Sequence, residues 1–178
     1  FTGGDLVAVA TNSATTIITS NGVATATASA NMSDSTVRDI VDEFKKKFTP
    51  KYGNGQDFVC VAAVNSMRGL YDKLQALMQY TTPEFMYNNE NGRYYGTRFV
   101  EETNFLSNAI GSAGSYGQAV FFGNDAVAEA IVVPEEVRYE VRDVGRDKKL
   151  AWYYLGGFQR IWDFSGDTRE HIMFLASA

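Results

Sequence analysis

From Asp34 onward the apolar positions fall into a helical repeat. Val37, Ile40, Val41, Phe44 and Phe48 recur at i, i+3, i+4, i+7 and i+11, which is one face of an amphipathic helix. Ser33 or Asp34 can cap it. Lys45, Lys46 and Lys47 lie at its end, where the helix dipole favours cations, and Thr49-Pro50 stops it. KYGNGQ reads as a loop. DFVCVAAV is then an unbroken apolar run of strand length, the pattern of a strand buried on both faces. From Ser66 the stripe Met67, Leu70, Tyr71, Leu74, Leu77 and Met78 predicts a second helix. TTPEFMYNNENG is a loop. It leads into a strand with Tyr95, Thr97 and Phe99 on one side and Arg98, Val100 and Glu102 on the other. SNAIGSAGSYG reads as a small-residue loop and QAVFFG as a short strand. Asn124 is placed to cap a short helix that includes Val127 and Ala130.

The last third changes period. VRYEVRDV alternates Val137, Tyr139 and Val141 with Arg138, Glu140 and Arg142, so the three apolar residues are expected to face the core. A turn at Gly145–Lys148 leads into LAWYYLGGFQRIWDF, with aromatics on both faces and a bulge expected at Gly156-Gly157. SGDTRE turns again and HIMFLASA is a final strand, which makes this third an antiparallel meander. The opening run carries no charged residue between Asp5 and Asp34. Its Ile17, Ile18 and Val23 read as short strands or an extended arm. The fold class is α+β. Residues 1–32 form an extended, uncharged division, and residues 33–178 an α/β core with C-terminal antiparallel strands.

Charge and cysteine usage narrow the function. The 178 residues carry a net charge of −5, and a protein that grips phosphate backbones needs a basic face. Cys60 is the single cysteine, so no intrachain disulfide can form. No segment has the length and apolarity of a membrane span, and no leader pattern is visible. The chain starts at Phe1 rather than methionine, which raises the expectation of a truncated or processed protein. Motifs that carry chemistry are missing from the sequence: GxxxxGK[ST], GxSxG, CxxC and HExxH. GSAGSYG lacks the lysine and spacing of a phosphate loop. Glu101–Glu102 and Glu135–Glu136 are adjacent acids, which point to opposite faces of a strand and so make no ready dyad. Asp143, Asp147 and Asp163 are turn or strand-end acids. Cys60 and His171 are far apart in sequence and are read as packed residues. No catalytic, cofactor-binding or metal residue is assigned, and no cofactor is expected.

Three short patterns carry a resemblance. They are G-x-R-F-V-E-E at Gly96–Glu102, F-G-x-D-A at Phe122–Ala126, and D-x-G-R…A-W-Y…G-F at Asp143–Phe158. In this order they resemble the C-terminal portion of tailed-phage major capsid proteins of the phage N4-like group, which have the Hong Kong 97 coat fold. The resemblance covers roughly Ser33 to Ala178. It implies that residues 33–178 are an axial-domain-like core and that the extended strands of residues 1–32 are a remnant of the peripheral domain, without the N-terminal arm, extended loop and spine helix of that family. It implies a structural, non-enzymatic protein of bacteriophages or prophages, made in the bacterial host cytoplasm and located in the virion. Its partners would be copies of itself, as hexamers and pentamers of a self-assembling icosahedral head around phage DNA. Scaffolding, portal or cement proteins would be further partners, with DNA touched only non-specifically and no membrane contact. Arg98, Glu101 and Glu102 then suit contacts between identical subunits. The competing readings are a hydrolase using distant carboxylates and a ligand-binding or adhesion module, the latter favoured by ten tyrosines. Either would require a concave pocket with converging polar groups.

Overall fold

The computed structural model describes residues 6–12, 16–19, 28–77, 92–104, 117–161 and 171–177. It divides into two units: residues 1–126 with 162–178, and residues 127–161.

The larger unit is built on a mixed seven-stranded sheet. Its strands are β1 (Leu6–Val9), β2 (Ile17–Thr19), β3 (Phe58–Ala62), β4 (Arg93–Tyr94), β5 (Thr97–Glu101), β6 (Gly117–Phe122) and β9 (Ile172–Ser177), in the spatial order β2-β1-β9-β6-β3-β5-β4. β1 runs parallel to β9 and β3 parallel to β5, and the other neighbours are antiparallel. The register lines up side chains in rows across the sheet. Phe99, Cys60, Phe121, Met173 and Leu6 form one row, and Ala62, Ala119, Leu175 and Ala8 the next. All nine are buried in one cluster. The uncharged opening run therefore supplies two strands of the same sheet as the segments after residue 33, and β1 is buried along its whole length.

The helices close this face. α1 (Asp34–Lys46) begins with a capping box, in which Ser33 and Thr36 bond each other's backbone and side chain. Val37, Ile40, Val41 and Phe44 enter the cluster, and the Phe44 ring packs tilted against Phe58 at 5.2 Å between ring centres. Phe48 does not follow them. The helix ends at Lys46, Phe48 turns to a φ of 58°, and its ring is 86% exposed. KYGNGQ contains a single helical turn, α2 (Tyr52–Gly55), rather than a plain loop. α3 (Val64–Leu77) adds Met67 and Leu70 to the core, with Tyr71 packed against it; the side chains of Leu74, Leu77 and Met78 lie outside the described residues. β3 is not buried on both faces: Phe58, Cys60 and Ala62 are buried, while Val59 and Val61 are half-buried. β4 and β5 form a hairpin whose two central residues, Tyr95 and Gly96, have φ of 48° and 72°, as a two-residue hairpin loop requires. Thr97 and Phe99 point inward and Arg98 and Val100 outward, as the alternation predicts. The two small-residue loops of the sequence reading, 81–91 and 107–116, lie outside the described residues.

The smaller unit is a two-stranded antiparallel ribbon, β7 (Val127–Arg142) with β8 (Asp147–Arg160), joined through a 3-10 turn at Asp143–Gly145. Three features differ from the sequence reading. The helix expected after Asn124 is absent, because Asp125 adopts a φ of 54° and β7 begins at Val127; the β-branched run that follows favours a strand. The bulges lie on β7, at Val132 and at Pro134-Glu135, while Gly156 and Gly157 are regularly paired with Ile131 and Ala130. Finally, no meander forms: β9 pairs with β1 and β6 in the other sheet, not with β8.

The contrast between Phe44 and Phe48 is testable. Phe44→Ala should cost about 3–5 kcal/mol, the range for emptying a buried aromatic site. Phe48→Gly should be neutral or stabilising by up to about 1 kcal/mol, since glycine takes a positive φ without strain. Urea denaturation of both variants reads the difference, and a large loss for Phe48→Gly would contradict the helix end described here.

Candidate functional site

Two surfaces stand out: the faces of the β7–β8 ribbon, and a cleft at the β4–β5 edge of the larger sheet. On the ribbon, Val137, Tyr139 and Val141 do not face a core. They are exposed, as are Val127, Ile131 and Val132 on the same strand. Leu150, Trp152, Leu155 and Phe158 are exposed on β8, so both faces of the ribbon carry large apolar side chains. Among the described residues β7 and β8 pair only with each other. A lone two-stranded hairpin is marginal in water, and contiguous exposed apolar surface of this kind marks an interaction site.

Several polar groups of the ribbon are engaged with one another. Arg142 bonds Glu140 at 2.7 Å, Arg138 pairs with Glu136, and the Arg138 guanidinium lies 5.1 Å from the Tyr153 ring centre. Tyr154 donates to Glu129 at 2.7 Å and stacks on Trp152; that hydrogen bond, above all, holds the Tyr154 hydroxyl above its usual titration range. Exposed pairs of this kind contribute little to stability. What they leave unsatisfied is apolar area.

The cleft has a volume of about 410 Å³ and lies on the sheet face opposite α1. Register sets its floor: Arg93, Arg98, Val59 and Phe122 stand in one row across β4, β5, β3 and β6. Val100 and Tyr52 complete the apolar wall. Asp57 bonds Arg93 at 3.1 Å. Arg98 is exposed and has no ion pair among the described residues.

The remaining residues singled out by sequence are scattered. Glu102 accepts from the backbone N–H groups of Thr103 and Asn104 at 2.9 and 2.8 Å, which makes it a turn cap. Glu101 is exposed at the end of β5. Cys60 is fully buried in the apolar cluster, and burial pushes its thiol well above the ordinary range. His171 is buried, and its Nδ1 donates to the carbonyl of Asn124 at 2.8 Å. With Gly123 N–H bonding the His171 carbonyl at 3.0 Å, this ties β6 to the start of β9. Asp143 and Asp147 sit at the tip of the ribbon, and Asp163 lies outside the described residues. No group of three metal-binding side chains occurs among the described residues, and no described helix could span a membrane. The antiparallel pairing of this ribbon follows the sequence expectation, but Val137, Tyr139 and Val141 are exposed rather than core-facing, because alternation marks an apolar face without showing what covers it.

Comparison with solved structures places this architecture. A chain titled as the capsid of Ralstonia phage GP4 superposes with a TM-score of 0.61 and 17% identity, over 88% of this chain and 50% of that one. The fold is that of phage capsid chains. A mycobacterium phage Che8 chain (TM-score 0.57, 16% identity) and a chain of the cyanophage Pam1 capsid asymmetric unit (0.55, 16%) are also similar, each over 84% of this chain. This chain spans about half the length of these structures, 52% and 49% for the latter two. No family model and no curated protein matches the sequence.

Two outcomes follow from these environments. Trp152→Ser should leave the unfolding free energy of the larger unit within about 0.5 kcal/mol of the parent while reducing binding of a hydrophobic dye; a large loss of stability would mean that the ribbon is packed. Cys60 should resist alkylation in the native protein at mildly alkaline pH and react at once in denaturant. Because its thiol is raised only in the folded state, its contribution to stability is complete below the ordinary thiol range and declines as pH rises through it. Cys60→Ala should flatten that decline in pH-dependent denaturation.

Proposed function

We propose that this chain is a coat subunit of a tailed-phage head, whose copies assemble into an icosahedral shell around the phage DNA. The observation that carries the proposal is the capsid fold over 84–88% of the chain. The ribbon supports it independently, since its exposed apolar faces need a partner. Within this reading the role is structural rather than enzymatic, the location is the virion, and the protein is made in the cytoplasm of a bacterial host. The finer assignment is to the Hong Kong 97 coat fold and the phage N4-like group, from a phage or prophage. Residues 33–178 would then correspond to the axial domain and residues 1–32 to a remnant of the peripheral domain, with 178 residues representing the C-terminal portion of a longer subunit. Hexamers and pentamers would be the assembly units, and scaffolding, portal or cement proteins further partners. The net charge of −5 suits a shell that touches its DNA non-specifically.

The hydrolase reading finds little support. Among the described residues the cleft holds one carboxylate, Asp57, paired with Arg93, whereas glycoside hydrolysis needs two carboxyl groups across the substrate. A ligand-binding module retains one favourable observation, a cleft within the size range of ligand sites.

Negative-stain electron microscopy of the protein produced from its complete gene tests the proposal. Hollow particles of uniform diameter are expected. A monodisperse small species under all assembly conditions would rule the shell out.

A further inference from the structure

The cleft at the β4–β5 edge has an unusual charge arrangement. Arg93 and Arg98 are directly opposed across an antiparallel pair, a placement that is destabilising unless something neutralises it. Asp57 neutralises Arg93. Arg98 remains exposed without an ion pair among the described residues, beside the apolar wall of Val59, Val100 and Phe122. The cleft therefore asks for one carboxylate with an apolar group attached nearby.

The ribbon offers that combination. Between the pairs Ile131↔Gly156 and Glu136↔Tyr153 the register of β7 shifts twice, leaving Val132, Pro134 and Glu135 without cross-strand partners. Bulges of this kind push side chains away from the ladder. Val132 is 73% exposed. Glu135 is exposed and has no hydrogen bond or ion pair among the described residues. The dimensions agree. Val132 and Glu135 are three residues apart, a reach of at most about 10 Å, across bulges that interrupt the strict alternation of faces, and Arg98 and Phe122 are separated by two strand spacings, about 10 Å.

We propose that the bulge Val132–Glu135 of one copy docks in the cleft of a second copy, with the Glu135 carboxylate on Arg98 and Val132 against Val59 and Phe122. The occupant is a second copy of this chain, so the inference rests on the coat-subunit reading and names a contact within it. The two surfaces are different patches of one molecule. The contact is heterologous, the kind that propagates into rings or open chains rather than closing as a two-fold dimer.

Charge exchange tests the pairing. Self-association of residues 1–178 is followed by sedimentation velocity for the parent, Arg98→Glu, Glu135→Arg and the double variant, with circular dichroism to confirm folding. Each single variant should weaken self-association about tenfold or more, since like charges then meet at the contact. An equimolar mixture of the two single variants should recover it, because alternating copies place every cleft against a bulge of opposite charge. The double variant should recover it as well. As a second measurement, Arg98→Cys and Glu135→Cys proteins mixed under mild oxidation should form a disulfide-linked heterodimer, which the buried Cys60 does not compete for. Single variants that associate like the parent, a mixture that fails to recover, or absence of the heterodimer would overturn the docking. So would a parent that stays monomeric. Particle formation from the complete gene decides the shell reading separately: particles formed by Arg98→Glu would sink this contact and leave the shell intact.

Discussion

The larger unit depends on the insertion of its last strand. β9, near the C-terminus, occupies the position between β1, near the N-terminus, and β6. Without it the sheet would separate into a β2-β1 pair and a β6-β3-β5-β4 sheet. The rows that cross the core would be cut between Phe121 and Leu6, and between Ala119 and Ala8. Met173 and Leu175 fill those gaps and are fully buried. The arrangement also explains the absence of charge in β1. β1 is enclosed on both faces, with Leu6 and Ala8 in one cluster and Val7 and Val9 in the other, and a charge there would be buried without a partner. The loop-closure entropy of bringing chain ends more than 150 residues apart together must be met before this pairing contributes, which favours slow folding.

The ribbon follows the opposite logic. Its ladder is long and regular apart from two bulges, but its side chains have no core within the described chain. The ion pairs along it satisfy polar groups without covering apolar ones. A sequence selected only for a soluble monomer would place charged residues where Tyr139, Leu150, Trp152 and Phe158 stand. Their presence is intelligible if assembly supplies the missing burial, at about 25 cal/mol for each Å² covered. The cleft with Arg98 shows the same incompleteness in electrostatic form.

Much of the larger unit was legible in the sequence because its signals are local. The repeat in α1, the capping box at Ser33 and the alternation around Phe99 each lie within one element. Phe48 leaves the apolar face because periodicity does not show where a helix stops: α1 ends at Lys46, two residues earlier, and Phe48 takes a positive φ. The helix expected after Asn124 failed for a related reason: a capping residue was present, but the β-branched residues after it prefer an extended chain. Pairing was the least legible feature. Nothing in HIMFLASA distinguishes a partner at β8 from partners at β1 and β6, because strand pairing is decided by residues far away in sequence. The facing of Val137, Tyr139 and Val141 was inferred correctly as a face and wrongly as a core, since alternation records that one side is apolar and not which molecule covers it. Arg98, by contrast, was visible from the start as an outward arginine, while its row with Val59 and Phe122 required the register.

The central proposal is that the ribbon, apolar and exposed in this chain, is covered when copies of a coat subunit assemble. Hydroxyl-radical footprinting read by mass spectrometry measures it directly, comparing the free chain with assembled particles. Tyr139, Trp152 and Phe158 should be oxidised readily in the free chain and protected in particles, while Phe99 and Phe121, buried within the chain itself, should stay protected throughout. Equal oxidation of the ribbon aromatics in the free and assembled states would contradict the account.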